Sequence, residues 1–361
     1  MEKKKNILIC PLDWGLGHAT RMVPLIEMLE SKGANVIIAA DNRPLVFLRQ
    51  RFPELEFVKF PGFVPAYPEK GSMALSMLKS VPAMLKQAKY SNALLQKLIL
   101  EKNIDAIISD NRYEMYSAKV PSIFITHQLN IQTSGWQKLA DPVIKKTIDN
   151  YIRKYKELWI PDFGGEPNLS GKLSHIHKMP IKNTHFIGTL SRFSNLQFKP
   201  ITEQIDLLIL ISGPEPQRSL LEEMLIKQAL QTNLKTVVLQ GKPEDVKVTV
   251  TKNIKIIPHL PDVELATLVQ AAKIVVGRPG YSTLMDLAVF GKTAIFIPTP
   301  GQTEQEYLAG KMRKNGIAYS QKQSEFKLIE AISEVVKFSK LPQMSSNNVL
   351  EERIDLLLSM C

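Results

Sequence analysis

Cysteine is scarce in this chain, with only two residues among 361. Cys10 lies inside an apolar run and Cys361 is the last residue, so no disulfide framework is expected and a reducing compartment fits. Long apolar runs are missing too, since none approaches the roughly 20 residues that span a bilayer. The N-terminus has a basic start but lacks the apolar core and cleavage site of a secretory signal. We therefore predict a cytoplasmic protein whose membrane contacts can only be peripheral.

Several chemical signatures are also absent. No Asp-X-Asp sequence occurs, and His175 and His177 have no cysteine or carboxylate at ligand spacing, so we predict no metal site. The Gly-X-Ser-X-Gly nucleophile elbow is missing, which leaves acyl hydrolysis without an anchor. Aromatic residues make up only 7 % of the chain, and no zinc-finger, RRM or helix-turn-helix pattern is present. We expect neither a nucleic-acid partner nor a cofactor.

Negative charge is in short supply in the first half. Residues 1–185 contain 26 Lys and Arg against 17 Asp and Glu, whereas 186–361 contain 20 against 18. A basic half can attract an anionic membrane or an anionic substrate.

Apolar strands and helical patterns alternate along the whole chain, which predicts α/β structure with parallel sheets covered on both faces. The strand-like runs lie at 6–12, 35–40, 104–110, 121–127, 206–212, 235–241, 253–260 and 293–298. We predict two Rossmann-like, doubly wound domains, covering 1–185 and 186–340, with a linker near 188–203. Residues 341–361 are expected to end the chain as a closing helix that packs back on the first domain.

The most informative stretch is 272–291, where a strand runs into a Gly/Pro turn and then into a helix that carries Asp286. Backbone N–H groups at such a helix start can hold phosphates, and a carboxylate further along can accept the hydroxyls of a ribose. The next strand leads to Gln305 and Glu306, near the start of another helix. Open α/β sheets bind ligands at these strand exits. An ordinary βαβ unit with a solvated Arg278 and Asp286 remains the alternative.

Three other loops carry weaker signals. The turn GLGHATR contains two glycines, His18 and Arg21, but Thr20 replaces the third glycine of the dinucleotide fingerprint, and His18 could simply cap a helix. In SGPEPQRS, a hydroxyl, backbone amides and Arg218 could converge on a diphosphate, or the loop could be solvated. In PHLPDVE, backbone amides around Leu260 could pair with the edge of a base.

Two segments together, GLGHATRMVPL and VVGRPGYSTLMDLAVFGKTAIFIPTPGQTEQEYLAG, resemble the family 28 glycosyltransferases of the GT-B fold, the MurG-like enzymes. The resemblance spans nearly the whole chain and implies two Rossmann-like domains facing a cleft. It implies a UDP-sugar donor, for which an N-acetylhexosamine is one candidate, and an acceptor hydroxyl that could be lipid-linked. Transfer would invert the anomeric carbon without a metal.

The resemblance also implies roles for individual residues. The second domain would bind the donor through Ser212, Gly213, Arg218, Leu260, Arg278, Gly280, Tyr281, Ser282, Thr283, Asp286, Gln305 and Glu306. The acceptor side would be formed by Gly15, Gly17, Arg21, His127, Gln128 and Asn130. His18 is the first candidate for the catalytic base because its intrinsic pKa lies near 7, and Asp13 is the second.

Two questions stay open at this point. GLGHATR also resembles the GxGHxxR turn of nucleotide-sugar hydrolases, so hydrolysis or epimerisation is an alternative to transfer, and a nucleotide-sugar sensor without turnover is another. Residues 63–90 mix apolar side chains with four lysines, as a helix does at an anionic membrane surface. We predict peripheral binding at the inner face of the cytoplasmic membrane, with core packing of this segment as the alternative.

Overall fold

The protein is described by a computed structural model that covers residues 4–62, 73–131, 139, 141–197, 203–344 and 348–361, with the backbone alone for 73–82. It divides into two compact units. Unit 1 comprises Met1–Ser191 and Ser345–Cys361, and unit 2 comprises Arg192–Met344.

Unit 1 is built on a seven-stranded sheet whose neighbouring strands all run parallel. In chain order the strands are β1 (Asn6–Pro11), β2 (Asn35–Ala40), β3 (Glu56–Lys59), β4 (Ala106–Asp110), β5 (Ser122–Ile125), β6 (Glu157–Ile160) and β7 (Thr184–Phe186). In the sheet they follow the order β3-β2-β1-β4-β5-β6-β7, so the winding direction reverses between β1 and β4. Ligands bind at such a switch point in open α/β sheets. Here it brings Pro11 opposite Asp110.

In the described parts of the connections lie the helices α1 (Leu16–Ser31), α2 (Asn42–Arg51), α3 (Met73–Glu101) and α4 (Asp141–Ile152). The central strands are almost continuous runs of buried aliphatic residues, which is the pattern of a sheet covered on both faces. One part of this core packs Leu95, Leu98 and Ile99 of α3 against Leu8 of β1 and Ile107 of β4.

Unit 2 repeats the design. Its strands are β8 (Ile205–Leu210), β9 (Thr236–Leu239), β10 (Thr249–Thr251), β11 (Ile254–Ile257), β12 (Ala272–Gly277), β13 (Ala294–Phe296) and β14 (Tyr319–Ser320). They lie in the order β10-β11-β9-β8-β12-β13-β14, and only the edge pair β10–β11 is antiparallel. The winding reverses between β8 and β12, where Leu210 pairs with Gly277.

The helices of unit 2 are α5 (Gln217–Ala229), α6 (Asp262–Ala271), α7 (Tyr281–Val289), α8 (Thr303–Lys314) and α9 (Leu328–Val335). The last helix, α10 (Asn348–Met360), follows unit 2 in the chain but belongs to unit 1. There Lys32, the C-cap of α1, pairs with Glu351 at 3.1 Å and with Asp355 at 2.6 Å.

The predicted fold class is confirmed: the structure contains two α/β units, each built on a doubly wound and mostly parallel sheet. Among the described residues, no helix combines the length and apolar character needed to cross a membrane.

Candidate functional site

The glycine turn of unit 1 connects β1 to α1. Gly15 has a φ of +80°, a left-handed conformation that side chains other than glycine's rarely adopt. Helix α1 begins at the next residue, and Gly17 and His18 therefore lie in its first turn. His18 keeps 16 % of its side chain exposed, so its ring can reach solvent or a ligand.

His18 lies in a hydrogen-bonded cluster with Arg21 and Asp110. Its Nδ1 is 2.9 Å from Oδ2 of Asp110, the last residue of β4. Arg21 donates two hydrogen bonds to the same carboxylate: Nε donates to Oδ2 at 2.8 Å, and Nη2 donates to Oδ1. Nη2 of Arg21 also lies 2.8 Å from Nδ1 of His18. Asp110 was not identified from the sequence, although it ends a predicted strand.

Burial and the neighbouring charges together set the protonation states of His18 and Asp110. Burial, followed by the positive charge of Arg21, lowers the pKa of His18, and the nearby Asp110 carboxylate only partly opposes this. Burial disfavours ionisation of Asp110, but Arg21 and His18 together outweigh it and lower the pKa of that carboxyl. The imidazole is therefore neutral near pH 7, as a general base has to be.

The predicted acceptor segment reaches the same cluster. Nη1 of Arg21 lies 3.3 Å from Nδ1 of His127, which is buried. The residues that follow are held by backbone bonds, because Leu129 and Asn130 both donate to the carbonyl of Leu173, at 2.8 and 2.9 Å. Gln128 donates its backbone N–H to Thr126 Oγ1 at 3.0 Å. The structure thus brings His18, Arg21 and His127 together and attaches the following residues to the loop after β6.

Asp13, the second candidate base, lies in a different environment. Its side chain is 1 % exposed; Oδ1 accepts the N–H of Asp41 at 3.0 Å, and Oδ2 lies 3.6 Å from Arg112. Burial is the main reason that the pKa of Asp13 rises to about 6, against the opposing effect of Arg112. Gly62 packs so closely that an added Cβ would collide with this carboxylate. The side chain has little room for an acceptor, and its catalytic role stays a prediction.

In unit 2, Arg278 follows β12 and is buried to 1 % exposure. Its guanidinium donates to three neighbours: the carbonyls of Ile297 at 2.9 Å and Gln217 at 3.1 Å, and Oε1 of Gln323 at 2.6 Å. All three acceptors are uncharged, and burial lowers the pKa of Arg278 to about 10. No carboxylate among the residues that the structure describes pairs with it, so its positive charge is not neutralised.

The predicted phosphate-binding turn follows directly. Gly280 is the N-cap of α7, so Tyr281, Ser282 and Thr283 supply the backbone of its first turn, where anions bind readily. Gly213, with a φ of +112°, lies in the loop after β8, and a Cβ there would lie 3.9 Å from Thr299 Oγ1. Thr299 Oγ1 is buried without a hydrogen-bond partner. The loops after β8 and β13 therefore approach each other.

Two side chains of α8, which follows β13, accept hydrogen bonds from the backbone of the loop between β13 and α8. Gln305 Oε1 accepts the N–H of Thr299 at 2.8 Å, and Glu306 Oε1 accepts the N–H of Gly301 at 3.1 Å. Leu260 is partly exposed between β11 and α6.

Arg218 differs from Arg278, because Glu215 and Glu222 neutralise it at 2.6 and 2.8 Å. Its guanidinium is thus already engaged within unit 2.

Asp286 lies in the second turn of α7 and faces an arginine that the sequence did not reveal. Nε of Arg192 is 3.3 Å from Oδ2 of Asp286, and its Nη1 is 3.2 Å from Oδ1 of Asp262. Asp286, the proposed acceptor for the ribose hydroxyls, and Asp262, the first residue of α6, thus both pair with Arg192. No short motif surrounds Arg192, so only the structure could identify it.

Comparison with known proteins indicates a glycosyltransferase. A model of the glycosyltransferase family 28 C-terminal domain matches residues 213–357. An uncharacterized glycosyltransferase of Methanosarcina acetivorans is 23 % identical over 92 % of this chain and 90 % of its own length. A UDP-N-acetylglucosamine–N-acetylmuramyl-(pentapeptide) pyrophosphoryl-undecaprenol N-acetylglucosamine transferase of Methylorubrum populi is 29 % identical over 93 % and 89 %.

A solved structure agrees with this result. MurG of Acinetobacter baumannii superimposes with a TM-score of 0.58 at 14 % identity, covering 99 % of this chain and all of that one. The protein is therefore a glycosyltransferase with the GT-B fold. Residues 213–357 match the C-terminal domain of family 28, and a MurG-like transferase is among the relatives, so the resemblance seen in the sequence is confirmed.

Proposed function

We propose that the protein transfers an N-acetylhexosamine from its UDP-sugar to an acceptor hydroxyl, with inversion at the anomeric carbon and without a metal. The observation that carries this proposal is the contact of a partly exposed histidine, His18, with a buried carboxylate, Asp110. The printed name of the Methylorubrum relative, a UDP-N-acetylglucosamine transferase, supports this choice of donor.

The chemistry of His18 follows from its tautomer. When Nδ1 donates its proton to Asp110, the lone pair on Nε2 is free to take the proton of the acceptor hydroxyl. The acceptor oxygen then attacks the anomeric carbon, the bond from that carbon to the diphosphate oxygen breaks, and UDP leaves. The Asp110 carboxylate stabilises the imidazolium that forms.

Unit 2 offers matching features for the donor. The first turn of α7 and the Ser212–Gly213 loop would hold the diphosphate, and Arg278, two residues before the N-cap of α7, would supply positive charge. Asp286 would accept the ribose hydroxyls, and the backbone near Leu260 would meet the base. Gln305 and Glu306 would contact the sugar.

The reaction type is tested by nucleotide release from a panel of UDP- and dTDP-sugars, with and without membrane extract as acceptor source. We expect release from a UDP-N-acetylhexosamine that depends on the acceptor. Release in water alone would indicate a hydrolase, which the GLGHATR turn also resembles. Binding without turnover would indicate a sensor, and either result contradicts transfer.

His18→Gln should lower kcat by roughly 100-fold or more and leave donor affinity nearly unchanged, because it removes the proton acceptor alone. Steady-state kinetics and calorimetric titration with UDP measure the two quantities. His177→Gln, at an exposed histidine of the same unit, is the matched control and should behave as wild type. Loss of donor affinity with normal turnover would instead make His18 a phosphate-side residue.

Asp286→Asn should weaken UDP-sugar binding by about 1.5 to 3 kcal/mol, because the ribose loses a charged acceptor. Asp262→Asn is the matched control, since it also removes a partner of Arg192 but is not assigned to the ribose. Calorimetric titration of both variants should show the larger loss at Asp286. Equal losses would mean that the two carboxylates act only by holding Arg192.

We also propose a lipid-linked acceptor and peripheral binding at the inner face of the cytoplasmic membrane. Part of the predicted membrane segment, residues 63–72 and the side chains of 73–82, lies outside the described residues. In the described part of α3, Leu85 and Tyr90 are 42 % and 57 % exposed and flank the exposed Lys86 and Lys89. An exposed apolar and basic surface of this kind supports contact with anionic lipid.

Flotation with vesicles that contain anionic lipid tests the membrane proposal. We expect binding at low salt that is lost at high salt, because each basic residue near the surface contributes about 1 kcal/mol. The double variant Lys86→Glu, Lys89→Glu should bind less, whereas Lys227→Glu, Lys247→Glu in unit 2 serves as the control of equal charge change. Absence from the lipid fraction at low salt would favour a soluble acceptor.

A further inference from the structure

Arg21 occupies the centre of the His18 cluster. Its side chain is 2 % exposed, and its guanidinium meets the Asp110 carboxylate and one nitrogen of each of two histidines. Arg21 lies three residues after His18 on α1, so helical geometry brings the two side chains onto one face. Asp110 is fully buried at the end of the neighbouring strand β4.

Two groups compete for one nitrogen of His18. Nδ1 is 2.9 Å from Asp110 Oδ2 and 2.8 Å from Arg21 Nη2. In a neutral ring, Nδ1 can donate a hydrogen bond to the carboxylate or accept a hydrogen bond from the guanidinium, but not both at once. In the first state Nε2 carries a lone pair and can act as a base. In the second state Nε2 carries the proton and cannot.

The third state, with both nitrogens protonated, is opposed by charge. The charged or titratable groups that face the His18 ring are Arg21 on its own helix, Asp110 at the end of β4 and His127 after β5. Asp110 already accepts two hydrogen bonds from Arg21. An imidazolium would therefore share one carboxylate with a guanidinium in a mostly buried site.

We propose that Arg21 is a positioning residue that neutralises Asp110 and thereby keeps His18 uncharged and available as a base. This inference rests on the proposed role of His18 in transfer, but the ionisation of the ring can be measured without any substrate. The low pKa of His18, caused first by burial and second by Arg21, agrees with it.

The direct test is an NMR titration of protein labelled with ¹⁵N-histidine, with the His18 signal assigned from its loss in His18→Gln. In Arg21→Gln the Asp110 carboxylate has no guanidinium and should hold a proton on the imidazole instead. We expect the midpoint of His18 to rise by about one pH unit or more relative to wild type. An unchanged midpoint in Arg21→Gln would overturn the proposal.

Two further variants keep the test decisive if Arg21→Gln folds poorly. Arg21→Lys retains the positive charge, so its midpoint should stay close to wild type. The double variant Arg21→Gln, Asp110→Asn removes both charges and should lose the upward shift. A midpoint in Arg21→Lys as high as that expected for Arg21→Gln, or a double variant that keeps the high midpoint, would contradict the electrostatic role.

Activity gives a second readout. If Arg21 acts through the charge of His18, the loss in kcat/KM for Arg21→Gln should be largest at pH 6 and shrink as the pH rises to 9. A purely structural role would lower activity by the same factor at every pH, which would count against the proposal. If the protein proves not to transfer sugar at all, the NMR midpoints still decide the role of Arg21.

Discussion

The ion pair between Arg21 and Asp110 is the constraint on which the geometry of the His18 cluster depends. Burying either charge without the other would be unfavourable, because an unpaired ion in a protein interior costs several kcal/mol. The sheet brings the pair together: β1 and β4 are neighbours, so the first turns of α1 meet the end of β4. His18 and His127 both contact this pair, and removing one of the two charges should cost about 3 to 5 kcal/mol where no other group compensates the remaining one.

Unit 2 relies on an arginine in another way. Arg278 connects the ends of β12 and β13 to the start of α5 through acceptors that carry no charge, so its full positive charge remains, two residues before the N-cap of α7. Arg218, by contrast, is neutralised by two glutamates, one just before α5 and one on α5 itself. The electrostatic attraction of an anion to Arg278 is therefore stronger than its attraction to Arg218, although both are arginines that follow a strand in the sequence.

The sequence predicted the architecture well, because buried parallel strands are apolar runs that can be counted along the chain. It also placed His18 and Gly280 where helices begin after strands, and Asp286 within the second of these helices, as the structure has them. It missed Asp110 as a partner of His18, because 92 residues separate them and only the strand order makes them neighbours. Arg192 was missed for the same reason, since its partner Asp286 belongs to a distant segment. Edge strands such as β10 and β14 are too short to show a pattern.

The buried carboxylate of Asp13 makes the folding of unit 1 a proton-linked reaction. Its pKa is raised from 3.8 to about 6 in the folded chain, so folding takes up a proton between these two values. An acid whose pKa is higher in the folded chain than in the unfolded chain stabilises the fold at a pH below its unfolded pKa. For Asp13 this contribution is about 3 kcal/mol, and it is lost as the pH rises through 6. The carboxylates that pair with arginines, such as Asp110, work in the opposite direction. Near neutral pH the charged form of Asp13 thus costs unit 1 stability, so a mildly acidic solution favours the fold at this one position.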